Sequence, residues 1–325
     1  MATEGRGWAI GLDMGGTKCL GVLVDPDGNV RATHRVPTPE GTEAVLAALT
    51  GTAEVLRRQS PGHVTTIGCG VPGLVTRSGE LRYAPHLPGV TDFPLGAELS
   101  ERLGVVTVVE NDNTCATAAE ARARPSTESL LYVGFGTGIG GGLVINGKLE
   151  RGQHGFAGEF GHLVVIIGGE QCVCGRRGCW ERYASGDALG RLGAAVGIVG
   201  DGEGVRRLLR PGDPTASAVV ERFSDFVAVG LVNLVLSFDP EVVVVGGGAI
   251  GQPEQAEELL GPIRRRFAAE FGNAAGHRSL PAIEPARFGP EAAAMGAALL
   301  SSADGPVGAI STAAASDRRR RPHVG

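Results

Sequence analysis

Three short apolar runs along this chain are each followed by glycines. They cover residues 8–12, 130–133 and 242–245, and each is followed closely by a cluster of glycines. Such runs, rich in valine, isoleucine and leucine, are typical of buried β-strands. A strand that leads into a glycine loop points backbone N–H groups toward one place, which suits the oxygens of a phosphate group. The pattern therefore predicts three strands that lead into candidate phosphate loops.

Segments with helical periodicity alternate with these runs. The spacing of apolar positions predicts helices over 40–59, 112–124, 214–237, 254–271 and 290–300, and further strands over 64–71 and 105–109. Strands that alternate with helices predict an α/β protein.

The first two glycine clusters have the same local pattern. Residues 10–30 and 132–150 each predict a strand, a glycine turn, a second strand and a reverse turn, at Asp27-Gly28 and Asn146-Gly147. Because the second copy turns into a hairpin, its match to G-x-G-x-x-G at Gly136, Gly138 and Gly141 does not predict a dinucleotide site. Two such hairpins resemble the actin-like ATPase (ribonuclease H-like) fold, with two lobes, duplicated βββαβα-type halves and a nucleotide held between them.

Length and this repeat predict two lobes, since 325 residues exceed one comfortable core. We expect a smaller α/β lobe over 1–120, with a last helix over 290–302 that packs back on it. A larger α/β lobe over 121–289 would carry the nucleotide and oligomer contacts. The Ala/Ser/Gly-rich residues 303–325, which end in four arginines, predict a disordered tail.

Composition and charge exclude some classes of function. With 42% hydrophobic and 20% charged residues the chain is globular, and a net charge of −5 argues against nucleic acid as a partner. No apolar run reaches transmembrane length and no signal-peptide pattern opens the chain, so we expect no membrane partner and a cytoplasmic location.

Four metal-binding side chains lie within a short glycine-rich stretch. They are His162, Cys172, Cys174 and Cys179. The alternative is a set of buried or disulfide-bonded cysteines, but three clustered thiols cannot all pair with one another. The spacing therefore predicts a Cys3His zinc knuckle. Glu159 and Glu181 flank the knuckle, so a structural Zn²⁺ could hold two carboxylates and an imidazole in place.

Taken together, these motifs resemble the ROK family of sugar kinases and sugar-responsive repressors, and within it the bacterial glucokinases. The resemblance covers residues 10–300. It is carried by D-M-G-G-T-K at 13–18, G-V-P-G at 70–73, E-N-D at 110–112, G-F-G-T-G-I-G-G-G at 134–142, E-F-G-H at 159–162, C-x-C-G-x-x-G-C-x-E from 172 and G-G-G at 246–248.

The resemblance implies an ATP-dependent transfer of phosphate to the C6 hydroxyl of glucose or a related hexose. Asp112 would be the catalytic base, in a sugar site that also contains Gly73, Asn111, Glu159, His162 and Glu181. A hexose presents hydroxyls that both donate and accept, which suits carboxylates, an amide and an imidazole. ATP and Mg²⁺ would be held by Asp13, Gly15, Gly16, Thr17, Gly136, Thr137, Gly138, Gly246, Gly247 and Gly248. A homodimer, or a tetramer, is also implied.

Several alternatives stay open from the sequence. Another sugar (mannose, fructose, allose or an N-acetylated amino sugar), a polyphosphate donor and a non-catalytic sugar sensor all fit the family. Because only seven residues precede Trp8, we expect no helix-turn-helix there and hence a kinase. Asn113-Thr114 departs from the family, where a second asparagine follows a small residue, so the support of Asp112 is expected to differ. The helix entry from Phe288 also lacks the polar pair often found there.

Overall fold

The structure, a computed structural model, describes residues 7–85, 87, 89–198, 213–251 and 253–302. These residues group into two compact units. The first contains the chain up to Asn111 and again from Ala297, and the second contains Asp112–Gly296. The predicted disordered tail, 303–325, lies outside the described residues.

A five-stranded sheet is the core of the first unit. Its order is β3-β2-β1-β4-β8, in which β1, β2 and β3 are antiparallel neighbours and β4 and β8 run parallel to β1. A small sheet, β5-β6-β7, is inserted between β4 and β8. The strands are β1 Trp8–Met14, β2 Lys18–Val24, β3 Val30–Pro37, β4 Val64–Val71, β5 Leu74–Val75, β6 Leu81–Tyr83, β7 Thr91–Phe93 and β8 Thr107–Asn111.

Two helices, α1 (Thr42–Gln59) and α2 (Leu95–Leu103), belong to the same unit. The apolar side chains of α1 recur at helical spacing and are buried, as Leu46, Leu49 and Leu56 show. α2 ends where Gly104 adopts the left-handed conformation that a glycine tolerates without strain.

The sheet of the second unit repeats this design. Its order is β11-β10-β9-β12-β13, again with three antiparallel neighbours followed by two parallel strands. The strands are β9 Leu130–Phe135, β10 Ile139–Ile145, β11 Lys148–Glu150, β12 Val242–Gly246 and β13 Ala282–Pro285. Because both halves have the same order and the same strand directions, the predicted duplication and the actin-like ATPase fold are confirmed.

Helices of the second unit pack on this sheet. The long α6 begins at Pro214 because the Asp213 carboxylate accepts hydrogen bonds from the N–H groups of Thr215 and Ala216. The helices are α3 Asp112–Arg122, α4 Glu181–Ala184, α5 Gly186–Ala194, α6 Pro214–Phe238 and α7 Pro253–Phe271, with 3-10 helices at Phe160–His162, Gly272–His277 and Gly289–Glu291. The last helix, α8 Ala292–Ser301, begins in this unit and ends in the first.

The sequence-based bounds differ from the structure by up to two residues, and two of these differences change how elements are connected. The strand predicted over 105–109 is Thr107–Asn111, so α3 follows it with no loop. The last helix begins at Ala292 and not at 290, because the chain first makes the 3-10 turn Gly289–Glu291. In the part of the chain that the structure describes, we find no helix with the length and apolar character needed to cross a membrane.

Candidate functional site

The carboxylate of Asp112 lies at the point where β8 ends and α3 begins. Its Oδ1 accepts hydrogen bonds from the backbone N–H of Asn113 at 2.8 Å and from the Asn113 side-chain Nδ2 at 3.0 Å. Asn113 is therefore a residue that fixes the orientation of the predicted base. In the sequence, Asn113 is visible only as a departure from the family pattern, because the direction of its side chain depends on what it packs against.

Glycines of the β9–β10 hairpin make room for α3. A Cβ on Gly134 or on Gly140 would lie 2.3 Å and 2.4 Å, respectively, from atoms of the Asn113 amide, and a Cβ on Gly142 would lie 2.3 Å from Thr117 Oγ1. Real Cβ atoms do not approach this closely, so these glycines are needed for packing. They bring the hairpin against the helix that begins with Asp112.

The turn of this hairpin has a different environment. Gly136 donates its N–H to Gly138 O at 3.0 Å, while its own carbonyl accepts from the N–H of Gly186 at 2.7 Å. A Cβ on Gly136 would meet nothing within 4 Å, and the Thr137 side chain is exposed. The predicted phosphate loop is thus a tight turn held by backbone hydrogen bonds, with open space beside it.

The second glycine loop of this unit, Gly246–Gly248, packs against the end of β9. Gly247 has a φ of +90°, and a Cβ there would lie 2.5 Å from the backbone of Phe135. No other residue fits this position without strain. A Cβ on Gly248 would meet nothing within 4 Å, so the loop is also open on one side.

The four predicted metal ligands come together in the second unit. One ligand atom from each of His162, Cys172, Cys174 and Cys179 lies within 4.8 Å of the others. Cys174 Sγ is 3.6 Å from Cys179 Sγ, and Cys172 Sγ is 3.6 Å from His162 Nδ1. A tetrahedral Zn²⁺ with Zn–S bonds of about 2.3 Å requires separations of about 3.7 Å, whereas a disulfide requires about 2 Å. The cluster therefore fits zinc.

The chemistry of the thiols agrees with this geometry. Burial raises the pKa of Cys174, but hydrogen bonds from the Arg176 backbone and from Cys172 and Cys179 outweigh it and lower the pKa to about 7. Away from the cluster, burial raises the pKa of Cys19 to about 11. Cys19, Cys69 and Cys115 are buried thiols at sites separate from the cluster.

His162 connects the metal cluster to the carboxylates. Its Nδ1 faces Cys172, and its Nε2 lies 3.8 Å from Glu159 Oε2. Glu181 Oε1 lies 3.5 Å from His162 Nδ1 and 3.1 Å from Cys172 Sγ. If Nδ1 ligates a metal, the ring is fixed and Nε2 points to the carboxylate side.

Three carboxylates share one electrostatic environment beside this imidazole. Partial burial raises the pKa of Glu159 above its ordinary value, His162 opposes that shift, and the negative charges of Asp112 and Glu181 raise the pKa further. A Cβ on Gly138 would lie 2.8 Å from Glu181 Oε2, so the phosphate loop borders the same cluster. The structure thus brings together Asp112, Glu159, His162, Glu181 and the Gly138 turn within one unit.

Trp180 anchors the end of the metal loop in the hydrophobic core. Its side chain is fully buried, its Nε1–H donates to Phe226 O at 2.7 Å, and its ring meets Phe135 edge-on at 5.6 Å. A Cβ on Gly230 would lie 2.0 Å from the indole, so α6 has a glycine where the ring lies. Because Trp180 stands between Cys179 and Glu181, this anchor fixes a metal ligand and a carboxylate together.

Six of the predicted site residues lie in the first unit, four of them on or just after β1. Asp13 is on β1 between Leu20 of β2 and Gly70 of β4. The turn after β1 is closed by a hydrogen bond from Gly15 N–H to Lys18 O at 2.8 Å, which leaves Gly16 and Thr17 exposed.

The other two predicted residues of this unit are joined by a hydrogen bond. The side chain of Asn111 donates to Gly73 O at 3.0 Å. Gly73 has a φ of +100°, and a Cβ there would lie 2.1 Å from Tyr83 O, so only glycine fits.

Two glycine hairpins of one design and a carboxylate–imidazole cluster suited to hydroxyl groups are the parts of a phosphotransferase that acts on a sugar. Comparison with known proteins gives the same class. Residues 9–304 match the ROK family. The chain therefore belongs to the ROK family, and it is an ATP-dependent sugar kinase.

Two curated relatives and one solved structure illustrate the similarity. A glucokinase of Streptomyces coelicolor is 33% identical, over 93% of this chain and 99% of its own length. An N-acetyl-D-glucosamine kinase of Pectobacterium atrosepticum is 36% identical, over 89% and 97%. The crystal structure of a ROK family glucokinase from Streptomyces griseus, in complex with glucose and AMPPNP, has a TM-score of 0.81 at 32% identity and covers 91% of this chain and 99% of its own.

Proposed function

We propose that this chain transfers the γ-phosphate of ATP to the C6 hydroxyl of glucose. The observation that carries the proposal is the cluster of Asp112, Glu159, His162 and Glu181 beside the Gly136–Gly138 turn. Support also comes from the glucose and AMPPNP bound by the Streptomyces griseus relative. Ionised carboxylates accept hydrogen bonds from hydroxyls and an imidazole can donate or accept, so such a set can hold several hydroxyls of one hexose.

Asp112 acts as the general base in this proposal. Its carboxylate takes the proton of the C6 hydroxyl while that oxygen bonds to the γ-phosphorus and the bond from the γ-phosphorus to the bridging oxygen breaks, so that ADP leaves. The two hydrogen bonds from Asn113 hold Oδ1 in one orientation during the step. Asn111 and Gly73 are proposed to bind the sugar as well.

The glycine turns of both units are proposed to bind the nucleotide. In this proposal Gly136, Thr137 and Gly138 of the second unit, and Gly15, Gly16 and Thr17 of the first, surround the β- and γ-phosphates, while Gly246–Gly248 admit the adenosine. A magnesium ion would neutralise phosphate charge during the transfer, and Asp13, a carboxylate, is a suitable ligand for it.

Zinc is proposed to be structural in this enzyme. His162, Cys172, Cys174 and Cys179 would supply four protein ligands to the ion, the number that a structural zinc site takes, and a substrate would have no position on it. The role of the ion would be to fix the direction of His162 and the position of Glu181.

We also propose a cytoplasmic homodimer that binds neither nucleic acid nor membranes.

N-acetylglucosamine is the second candidate substrate. The observation that favours it is the identity of 36% to the Pectobacterium kinase, which is as close a relative as the Streptomyces coelicolor glucokinase at 33%. The two sugars share the C6 hydroxyl and differ at C2, so the proposed chemistry is the same for both.

A coupled assay of ADP release tests the proposal. The purified protein is mixed with MgATP and, one at a time, glucose, N-acetylglucosamine, N-acetylmannosamine, mannose, fructose and allose, with polyphosphate as a second donor. We expect the highest kcat/KM for glucose with ATP. A higher kcat/KM for N-acetylglucosamine would make that sugar the substrate, and no turnover with any sugar would leave a sugar sensor.

A further inference from the structure

Glu120 is a buried carboxylate that the proposed reaction does not use. It lies on α3, the helix that begins with Asp112, and its side chain has no exposed surface. Oε1 accepts hydrogen bonds from the backbone N–H groups of Arg287 at 2.7 Å and Phe288 at 3.1 Å. Oε2 pairs with the buried guanidinium of Arg124. One carboxylate thus binds two consecutive amides from a segment far away in the chain.

Arg124 and Arg287 add further hydrogen bonds between the end of α3 and residues 284–287. Arg124 Nε donates to Glu284 Oε2 at 3.1 Å, and its Nη2 donates to Pro285 O at 3.2 Å. Arg287 Nη1 donates to Ala123 O at 2.6 Å. Residues 284–288 are therefore fixed to the end of α3 by side-chain and backbone hydrogen bonds together.

The chemistry of this hydrogen-bonded network favours a role in fixing the position of the backbone that it binds, more than a role in stability. Removing two charges from water costs free energy that their mutual attraction often fails to recover, and apolar residues can be as stable in such a place. A charged network with every partner satisfied does, however, permit one geometry only. The feature that this network fixes is the path of residues 284–288.

That segment borders the Gly246–Gly248 loop. The N–H of Ala286 donates to Val245 O at 2.8 Å, and a Cβ on Gly246 would lie 2.9 Å from Ala286 Cβ. On its other side the glycine loop packs on the backbone of Phe135. The path of residues 284–288 therefore decides where the glycine loop can lie.

We infer that Glu120 is a positioning residue for ATP, because it holds residues 284–288 where they support the Gly246–Gly248 loop. The inference rests on the proposed function, in which that loop admits the adenosine. Glu120 would act before any chemistry, by keeping the nucleotide site formed in the free enzyme. Since its contacts lie at residues 284–288 and not at the sugar cluster, its loss should weaken ATP binding and leave sugar binding largely unchanged.

The test replaces Glu120 with glutamine, which keeps the shape but loses the charge. We expect the KM for ATP, and the Kd for AMPPNP measured by calorimetry, to rise about tenfold. The KM for the sugar and kcat at saturating ATP should each change by less than about threefold. Calorimetry with AMPPNP needs no sugar turnover, so it tests the role of Glu120 in nucleotide binding even if the proposed sugar substrate is wrong.

A matched control separates position from stability. Asp25 is also a buried carboxylate, and it accepts from two backbone N–H groups, of Asp27 and Asn29, and from Arg31. It follows the end of β2 that is opposite the Gly15–Thr17 turn. Asp25→Asn should lower the Tm as Glu120→Gln does and leave the affinity for AMPPNP at the wild-type value.

Glu284→Gln is a milder variant in case Glu120→Gln does not fold. The Glu284 side chain is 42% exposed and, within the network, pairs with Arg124 alone. We therefore expect a smaller rise in the Kd for AMPPNP, of about threefold. Wild-type affinity for AMPPNP in Glu284→Gln and in any folded Glu120→Gln protein would overturn the inference. Equal rises in the KM values for ATP and sugar would also overturn it.

Discussion

Replacing Cys174 with serine tests whether the metal cluster controls sugar binding. Cys174 is the exposed ligand of the four, so the change removes one metal bond without opening a cavity in the core. Serine is a poor zinc ligand at neutral pH because its hydroxyl does not ionise there. With one of four ligands lost, we expect most protein to contain no zinc.

The size of the effect follows from what the metal fixes. His162 Nδ1 faces the cysteines and Glu181 Oε1 lies 3.1 Å from Cys172 Sγ, so both of these proposed sugar-binding groups contact the cluster that would hold them in position. One hydrogen bond from a neutral group and one to a charged group contribute about 3 kcal/mol together. If both lose their fixed geometry, the Kd for glucose should rise by about a hundredfold.

The assay is metal analysis of the purified protein together with calorimetric titration of glucose and, separately, of AMPPNP with magnesium. The first-unit turn at Gly15 is closed by its own hydrogen bonds to Lys18 and Thr38, so nucleotide affinity should fall much less than glucose affinity. Val173→Ser is the matched control, because Val173 is an exposed neighbour in the same loop and not a ligand. Loss of zinc with an unchanged Kd for glucose would refute the coupling, and fully reduced wild-type protein without zinc would refute the site.

Three other substitutions have defined outcomes. Asp25→Asn should lower the free energy of unfolding at pH 7 by about 1–3 kcal/mol. Hydrogen bonds outweigh burial and hold the pKa of Asp25 below its ordinary value, so this stabilisation is present at neutral pH and is lost as the pH falls through that lowered pKa; in denaturant unfolding, the difference between variant and wild type should therefore shrink as the solution is acidified. Gly230→Ala puts a methyl group 2.0 Å from the Trp180 ring and should cost about 1–3 kcal/mol of stability, seen as a lower Tm; an unchanged Tm would mean that the ring is not fixed there. Gly247→Ala forces a side chain into a φ of +90° against the Phe135 backbone, so the KM for ATP should rise about tenfold in steady-state assays while the KM for sugar is unaffected.

Local patterns predicted much of the fold. The buried hairpins of β1–β2 and β9–β10 have apolar runs that end in glycine, and these features are visible within a few residues of sequence. No local apolar run marks β3, whose segment Val30–Pro37 contains Arg31 and Arg35, or β13, which is short and ends in Pro285. These two strands are defined by the neighbours they pair with, which a single segment does not reveal.

The same distinction applies to the site. The metal cluster could be predicted because its four ligands lie close together in sequence. The role of Asn113 could not, since it depends on Gly134 and Gly140 of a hairpin that folds back over α3. Glu120 bonds amides 167 and 168 residues away, a pairing that only the folded chain brings about.

The most direct test of the central claim is the kinetics of Asp112→Asn. The amide keeps the shape and one acceptor of the carboxylate but cannot take a proton from the C6 hydroxyl. We therefore expect kcat for hexose 6-phosphate formation to fall by about 10²–10⁴-fold, while the Kd for glucose changes by less than about threefold. A variant that retains more than about a tenth of the wild-type kcat would contradict the assignment of Asp112 as the base and, with it, the proposed reaction at this site.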